Sequence, residues 1–125
     1  MNTELEKLQG TWKIVALEVE GAKMGEHMFK ESKILVKGTR FNTISMGATY
    51  AGTVVVDALS TPKRLDLVFS EGPHQGSSAL AIYEVVGDTW KMCMGFAGKD
   101  RPEAFVSTAK SGHALETLQR EAEAL

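Results

Sequence analysis

The sequence has few features that would stabilise it covalently or place it in a membrane. It contains one cysteine, Cys93, so no disulfide can form within the chain and no CxxC pair is present. No apolar run approaches the roughly 20 residues of a membrane helix. The first four residues, Met-Asn-Thr-Glu, are polar and acidic, unlike the start of a signal peptide. We therefore expect a cytoplasmic protein without a membrane span.

Clusters of basic residues and the common catalytic motifs are also missing. The net charge is −2, and the 14 Lys and Arg residues are interleaved with 16 Asp and Glu residues, which argues against nucleic-acid binding. The sequence has no Walker loop, GxGxxG, GxSxG or HExxH motif. The three histidines, at positions 27, 74 and 113, do not have metal-ligand spacing. We predict neither a metal nor a cofactor.

The length and hydrophobic content of the chain suit one small domain over residues 1–125, with a tail at 121–125. A short helix is predicted within residues 1–10. Thr3 and Glu6 fit a capping box, Leu5 and Leu8 share one helix face, and Gly10 ends the helix. Because two helical turns are not stable alone, Leu5 and Leu8 must dock on the rest of the protein.

After Gly10 the hydrophobic period changes to two, and breaks of hairpin length separate the segments. The predicted strands are Thr11–Val19, Lys33–Lys37, Arg40–Met46, Tyr50–Asp57, Arg64–Ser70, Ser78–Val86, Thr89–Phe96, a brief strand at Ala104–Ser107, and Ala114–Arg120. No helix is long enough to connect parallel strands, so the sheet is antiparallel. An all-β, up-and-down barrel of about eight or nine strands is predicted, with a two-sheet sandwich as the alternative.

Two blocks of the sequence carry a family resemblance. Gly10-Thr11-Trp12 resembles the Gly-x-Trp opening of the calycins, in which the Trp closes one end of the barrel. A longer block resembles an uncharacterised bacterial lipocalin-like family; it comprises Leu65-Asp66-Leu67, Glu71-Gly72-Pro73, Ile82-Tyr83-Glu84, Gly87-Asp88-Thr89, Lys91-Met92-Cys93, Arg101-Pro102-Glu103-Ala104-Phe105, Ser111-Gly112-His113 and Leu118-Gln119-Arg120. The resemblance implies a lipocalin-like barrel and no general activity. Trp90 departs from the family, where Leu is usual.

One strand face is the main candidate for a ligand site. Trp90, Met92, Met94 and Phe96 lie on one face of their strand, opposite Thr89 and Lys91. Methionine suits adaptable apolar surfaces, so this face could line a pocket for a flat apolar ligand or fill a solid core. Tyr83, beside two alanines on its own strand, is predicted to join this pocket.

Arg101 is a further candidate ligand contact. Its guanidinium could recognise an anion, or it could bridge to a carboxylate and cap carbonyls near a barrel end.

Four residues are candidates for acid–base chemistry: His74, Tyr83, Glu18 and Glu103. Glu18 continues the predicted inward face of the first strand after Trp12, Ile14 and Ala16, with Val15 and Leu17 on the opposite face. His74 lies in a loop from which it could reach the barrel mouth.

Three functions remain open at this point. The first is a binding module for a small apolar or aromatic molecule. The second is a cofactor-free enzyme that performs proton abstraction, elimination or isomerisation in the same cavity. The third is an assembly protein with a filled core, in which Val15 and Leu17 contact the N-terminal helix or the second subunit of a homodimer.

Overall fold

Antiparallel strands dominate the computed structural model, which describes residues 3–45, 47–95 and 99–121. A helix, α1, spans Thr3–Lys7 and a 3₁₀ turn spans Glu26–Met28. The strands of the described part are β1 (Gly10–Val19), β2 (Ala22–Lys23), β3 (Lys33–Lys37), β4 (Arg40–Ser45), β5 (Ala48–Asp57), β6 (Lys63–Glu71), β7 (Ser78–Val86), β8 (Thr89–Gly95) and β9 (His113–Arg120). Most lie within one or two residues of the predicted bounds.

The sheet closes on itself. Strands β3 to β8 each pair with the next strand along the chain, β1 pairs with β3, and β9 returns to pair with β1. All of these pairings are antiparallel, so eight strands form a closed up-and-down barrel, and β2 adds a short ninth strand beside the end of β1. The predicted barrel is confirmed. The sandwich alternative fails because the β1–β9 pairing leaves the barrel without an open edge.

Helix α1 covers one end of the barrel. It is shorter than the predicted 1–10 helix, but Leu5 and Leu8 are buried as expected. Trp12 is fully buried below the helix, where its Nε1 donates a hydrogen bond of 2.8 Å to the Leu8 carbonyl. The Trp90 ring meets Trp12 edge to face, with the ring centroids 5.4 Å apart. These contacts fill the barrel interior at this end, which we call the closed end.

A β-bulge reverses the alternation of β1. Its register against β9 shifts between Ile14 and Ala16, so one extra residue enters β1 at this point. The prediction that Ala16 and Glu18 face inward and Leu17 faces outward is therefore wrong. Leu17 is buried inside the barrel, whereas Ala16 is exposed. Val15 stays on the outside and is exposed.

The segment Ala104–Ser107 is not a strand, contrary to the prediction. Every strand of the closed barrel already has a partner on each side, so no free edge is left for this segment to pair with. It is held mainly by side chains. The Ser107 hydroxyl accepts a hydrogen bond of 3.0 Å from the Gly21 N–H, and the Val106 carbonyl accepts one from the Cys93 thiol.

Candidate functional site: a cavity inside the barrel

The barrel encloses a cavity of about 300 Å³. Of the 15 described residues that line it, 11 are apolar, and they come from β1, β3 and β6 to β9. The other four carry polar groups and are Thr43, Tyr50, His74 and Glu116. No lysine or arginine of the described ranges lines the cavity. The site is therefore apolar, with one acidic side chain and no basic amino or guanidinium group to balance it.

Strand β9 places the acidic residue inside the barrel. Ala114, Glu116 and Leu118 alternate along β9 and all three line the cavity. Leu118 pairs with Trp90 towards the closed end, and Ala114 pairs with Met94 towards the other end. Glu116 lies between these two levels, in the middle of the barrel. Glu116 was not among the predicted site residues, although a glutamate flanked at two-residue spacing by Ala and Leu is a signal of an inward-facing acid.

The environment of Glu116 disfavours its charged form. Its strand neighbours on the two sides are Leu17 and Met92, and no described residue forms a hydrogen bond or ion pair with its carboxyl group. Glu116 retains some exposed surface, but that surface faces the cavity. Burial alone raises the pKa of Glu116 from 4.5 to about 7. The carboxyl group is therefore divided between its two protonation states near neutral pH.

An aromatic cluster lies at the end of the cavity opposite α1, which we call the mouth. Lys63, at the start of β6, reaches Glu4 in α1, so β6 carries Phe69 and the loop after it to the opposite end. In that loop His74 stacks on Tyr50 with the ring centroids 5.3 Å apart, and Phe69 packs against both rings. His74 is exposed to solvent and also lines the cavity, so the cavity reaches the protein surface here.

The predicted ligand-binding face of β8 is only partly in the cavity. Met92 and Met94 line it, whereas Trp90 is fully buried against Trp12 at the closed end. Phe96 lies outside the described residues. Trp90 therefore contributes to the floor of the barrel beneath the cavity and does not face the space above it.

Tyr83 faces inward as predicted, but it reaches α1 and does not line the cavity. Its hydroxyl donates a hydrogen bond of 3.0 Å to Glu4. Lys7 and Lys63 also contact the Glu4 carboxylate, and these hydrogen bonds lower the pKa of Glu4 to about 2. Burial raises the pKa of Tyr83 above its usual value, and the contact with Glu4 adds to this shift. The arrangement ties the helix to the barrel.

Arg101 is engaged with the barrel wall. One guanidinium nitrogen lies 2.7 Å from the Asp66 carboxylate, and another donates a hydrogen bond of 2.8 Å to the Ala81 carbonyl. These are the carboxylate bridge and the carbonyl cap that were predicted for Arg101 as the alternative to anion recognition. Arg101 does not line the cavity.

The remaining acid–base candidates lie outside the barrel interior. Glu18 accepts a hydrogen bond of 3.0 Å from the Ser107 hydroxyl, and Glu103 is exposed. Burial raises the pKa of the Cys93 thiol. Of the four predicted acid–base residues, only His74 lines the cavity, where Glu116 joins it.

The described residues were also searched for metal sites and membrane-spanning helices, and the chain was compared with known proteins. In residues 3–45, 47–95 and 99–121, no three His, Cys, Asp or Glu side chains are grouped to hold a metal ion. The described part also contains no helix long and apolar enough to cross a membrane. Comparisons with protein families, with curated proteins and with solved structures found no match. The family resemblance stays a prediction, whereas the closed eight-stranded barrel itself fits a lipocalin-like fold.

Proposed function

We propose that the protein is a lipocalin-like binding module that holds one small, largely apolar molecule inside its barrel. The observation that carries this proposal is the cavity of about 300 Å³, apolar along most of its lining and connected to the surface beside His74. Its volume is at the lower end of the range for ligand sites, so the ligand is a compact molecule of about one or two rings.

The side chains around the cavity support an adaptable site. Met92 and Met94 lie on one wall, and methionine side chains adjust their shape to irregular ligands. Ala79 on β7 and Ala114 on β9 also line the cavity and leave space that larger residues would fill. A cavity of this size also argues against the filled core that an assembly protein would have.

Binding of a neutral fluorescent dye tests the proposal. Prodan, a neutral dye built on one two-ring naphthalene, shifts its emission to shorter wavelength in apolar surroundings, and we expect saturable binding with one site per chain. Ala114→Phe places a large side chain in the cavity and should abolish the signal. Gln119→Phe adds the same side chain to the exposed face of the same strand and should not. Circular dichroism checks that both variants fold. Equal dye binding by the two folded variants would exclude the cavity as the site.

A cofactor-free enzyme is the second candidate. The observation that favours it is the raised pKa of Glu116 in an apolar cavity that also contains His74, because a general base works best when its pKa lies near the working pH. Nitrobenzisoxazole, which opens to a coloured phenolate when one carbon-bound proton is removed, is a suitable probe. Turnover should fall roughly 100-fold in Glu116→Gln. No turnover above that of Glu116→Gln would argue against proton abstraction at this site.

A further inference from the structure

We propose that the ligand is an organic amine with an apolar body, bound as its ammonium ion with Glu116 as the counter-ion. This inference rests on the proposed binding function and adds the chemical class of the ligand. It starts from the single acidic side chain in a cavity whose described lining contains no lysine or arginine.

The carboxylate of Glu116 has no hydrogen-bond or ion-pair partner among the described residues. A bound ligand could supply that partner. Leu17 and Met92 flank the carboxylate, and no described side chain donates to it. A buried polar group without a hydrogen bond costs free energy, and a buried charge costs more. An ammonium group would satisfy both requirements, because it donates hydrogen bonds and carries the opposite charge. A ligand carboxylate would instead face Glu116 without a cation to hold it.

The aromatic cluster at the mouth also supports a ligand with an apolar body. Tyr50 and Phe69 both line the cavity, and their rings pack with centroids 5.7 Å apart. Aromatic rings pack well against apolar or aromatic groups, so these rings would contact the apolar body of the ligand while its ammonium group reaches Glu116. The carboxyl group in the middle of the barrel and the rings at its mouth suit a molecule that has an ammonium group at one end and an apolar body at the other.

Ionisation of Glu116 should control this binding. Of the two strands beside β9, β1 presents Ile14, Leu17 and Val19 to the cavity, and β8 presents Met92 and Met94, none of which titrates. The charged residues described on these two strands, Lys13, Glu18 and Lys91, do not line the cavity. Across the cavity, Tyr50 and His74 are the other titratable groups.

The direction of the pH effect follows from this arrangement. The pKa of Glu116 is about 7, and an alkylamine stays protonated well above that pH. Amine affinity should therefore rise with pH, by roughly 10-fold or more from about pH 5.5 to about pH 8, as Glu116 ionises.

Calorimetric titration with three probes of one apolar body tests the ligand class. Naphthylmethylamine, naphthylmethanol and naphthylacetic acid share a naphthylmethyl body and differ only in the polar group. At about pH 8 the amine should bind roughly 10- to 100-fold more tightly than the alcohol, the range for a hydrogen bond to a charged group. The acid should bind most weakly. Glu116→Gln should reduce the preference for the amine to less than about threefold, and Glu84→Gln, an exposed residue of β7, should retain it.

The outcomes separate the inference from the proposed function. If the alcohol binds as tightly as the amine, or the acid binds best, the inference is overturned and the binding module stands. If none of the three probes binds, both are overturned. Should Glu116→Gln fail to fold, the pH dependence of the ratio of amine to alcohol affinity in the unaltered protein tests the inference instead. This ratio should rise with pH, because only the amine affinity depends on an ionised Glu116. His74→Gln should keep that rise, and its loss in this variant would move the effect from Glu116 to His74.

Discussion

Replacing Glu116 by glutamine should change how the stability of the barrel depends on pH. In the unfolded chain the carboxyl group titrates near its ordinary pKa of 4.5, whereas burial in the folded barrel raises this pKa to about 7. Between these values the folded state binds more protons than the unfolded state. The contribution of Glu116 to stability is therefore fully present below about pH 4.5 and is lost progressively as the pH rises through about 7.

The size of this loss follows from the pKa shift. Each pKa unit corresponds to about 1.4 kcal/mol, so a rise from 4.5 to about 7 corresponds to a loss of about 3 kcal/mol in the free energy of unfolding. This is an upper value, since the carboxyl group faces a cavity that reaches solvent. Glutamine has the same shape and no charge. Glu116→Gln should therefore be more stable than the unaltered protein at about pH 8 and similar to it at about pH 4.5.

Urea unfolding followed by circular dichroism measures the difference. The free energy of unfolding of each protein is compared at several pH values, so titrations common to both, such as that of Glu4, cancel. Glu84→Gln removes an exposed carboxylate and should keep the decline that Glu116 causes. Parallel pH profiles for the unaltered protein and Glu116→Gln would refute the assignment of Glu116 as an acid buried without a partner.

Two further substitutions test the closed end and the barrel wall. Trp12→Phe removes the indole N–H that binds the Leu8 carbonyl and leaves a gap under α1. Urea unfolding should therefore show a loss of about 2–3 kcal/mol in the free energy of unfolding, while the dye affinity stays unchanged. Weaker dye binding would instead place Trp12 in the ligand site. Gly52→Ala should lower the free energy of unfolding by about 3 kcal/mol, because a Cβ at this position would lie 1.8 Å from the Val68 carbonyl oxygen. A thermal midpoint equal to that of the unaltered protein would contradict this contact.

The sequence alone was sufficient to predict the eight strands of the closed barrel and the docked helix, although it also predicted a strand at Ala104–Ser107 that does not form and missed the short β2. Strand alternation and turn residues are local properties, and they survive folding because each strand has one buried face. That Trp12 faces inward follows from the same alternation, whereas its place at the closed end was what the calycin resemblance implied. Closure follows from the number of strands and the lack of crossover helices. The types of contact that Arg101 makes, a carboxylate bridge and a carbonyl cap, were also predicted. Its partners Asp66 and Ala81 were not, because they depend on the register between strands.

The cavity and its chemistry were decided by tertiary structure. The bulge after Ile14 exchanges the inner and outer faces of β1, and no local pattern marks it, because it exists only in the register against β9. Trp90 and Met92 share a strand face, yet barrel closure places one in the floor and the other in the cavity wall. Glu116 could have been found from its spacing between Ala114 and Leu118. Its missing partner could not, because the surroundings of a buried carboxyl group come from seven other strands.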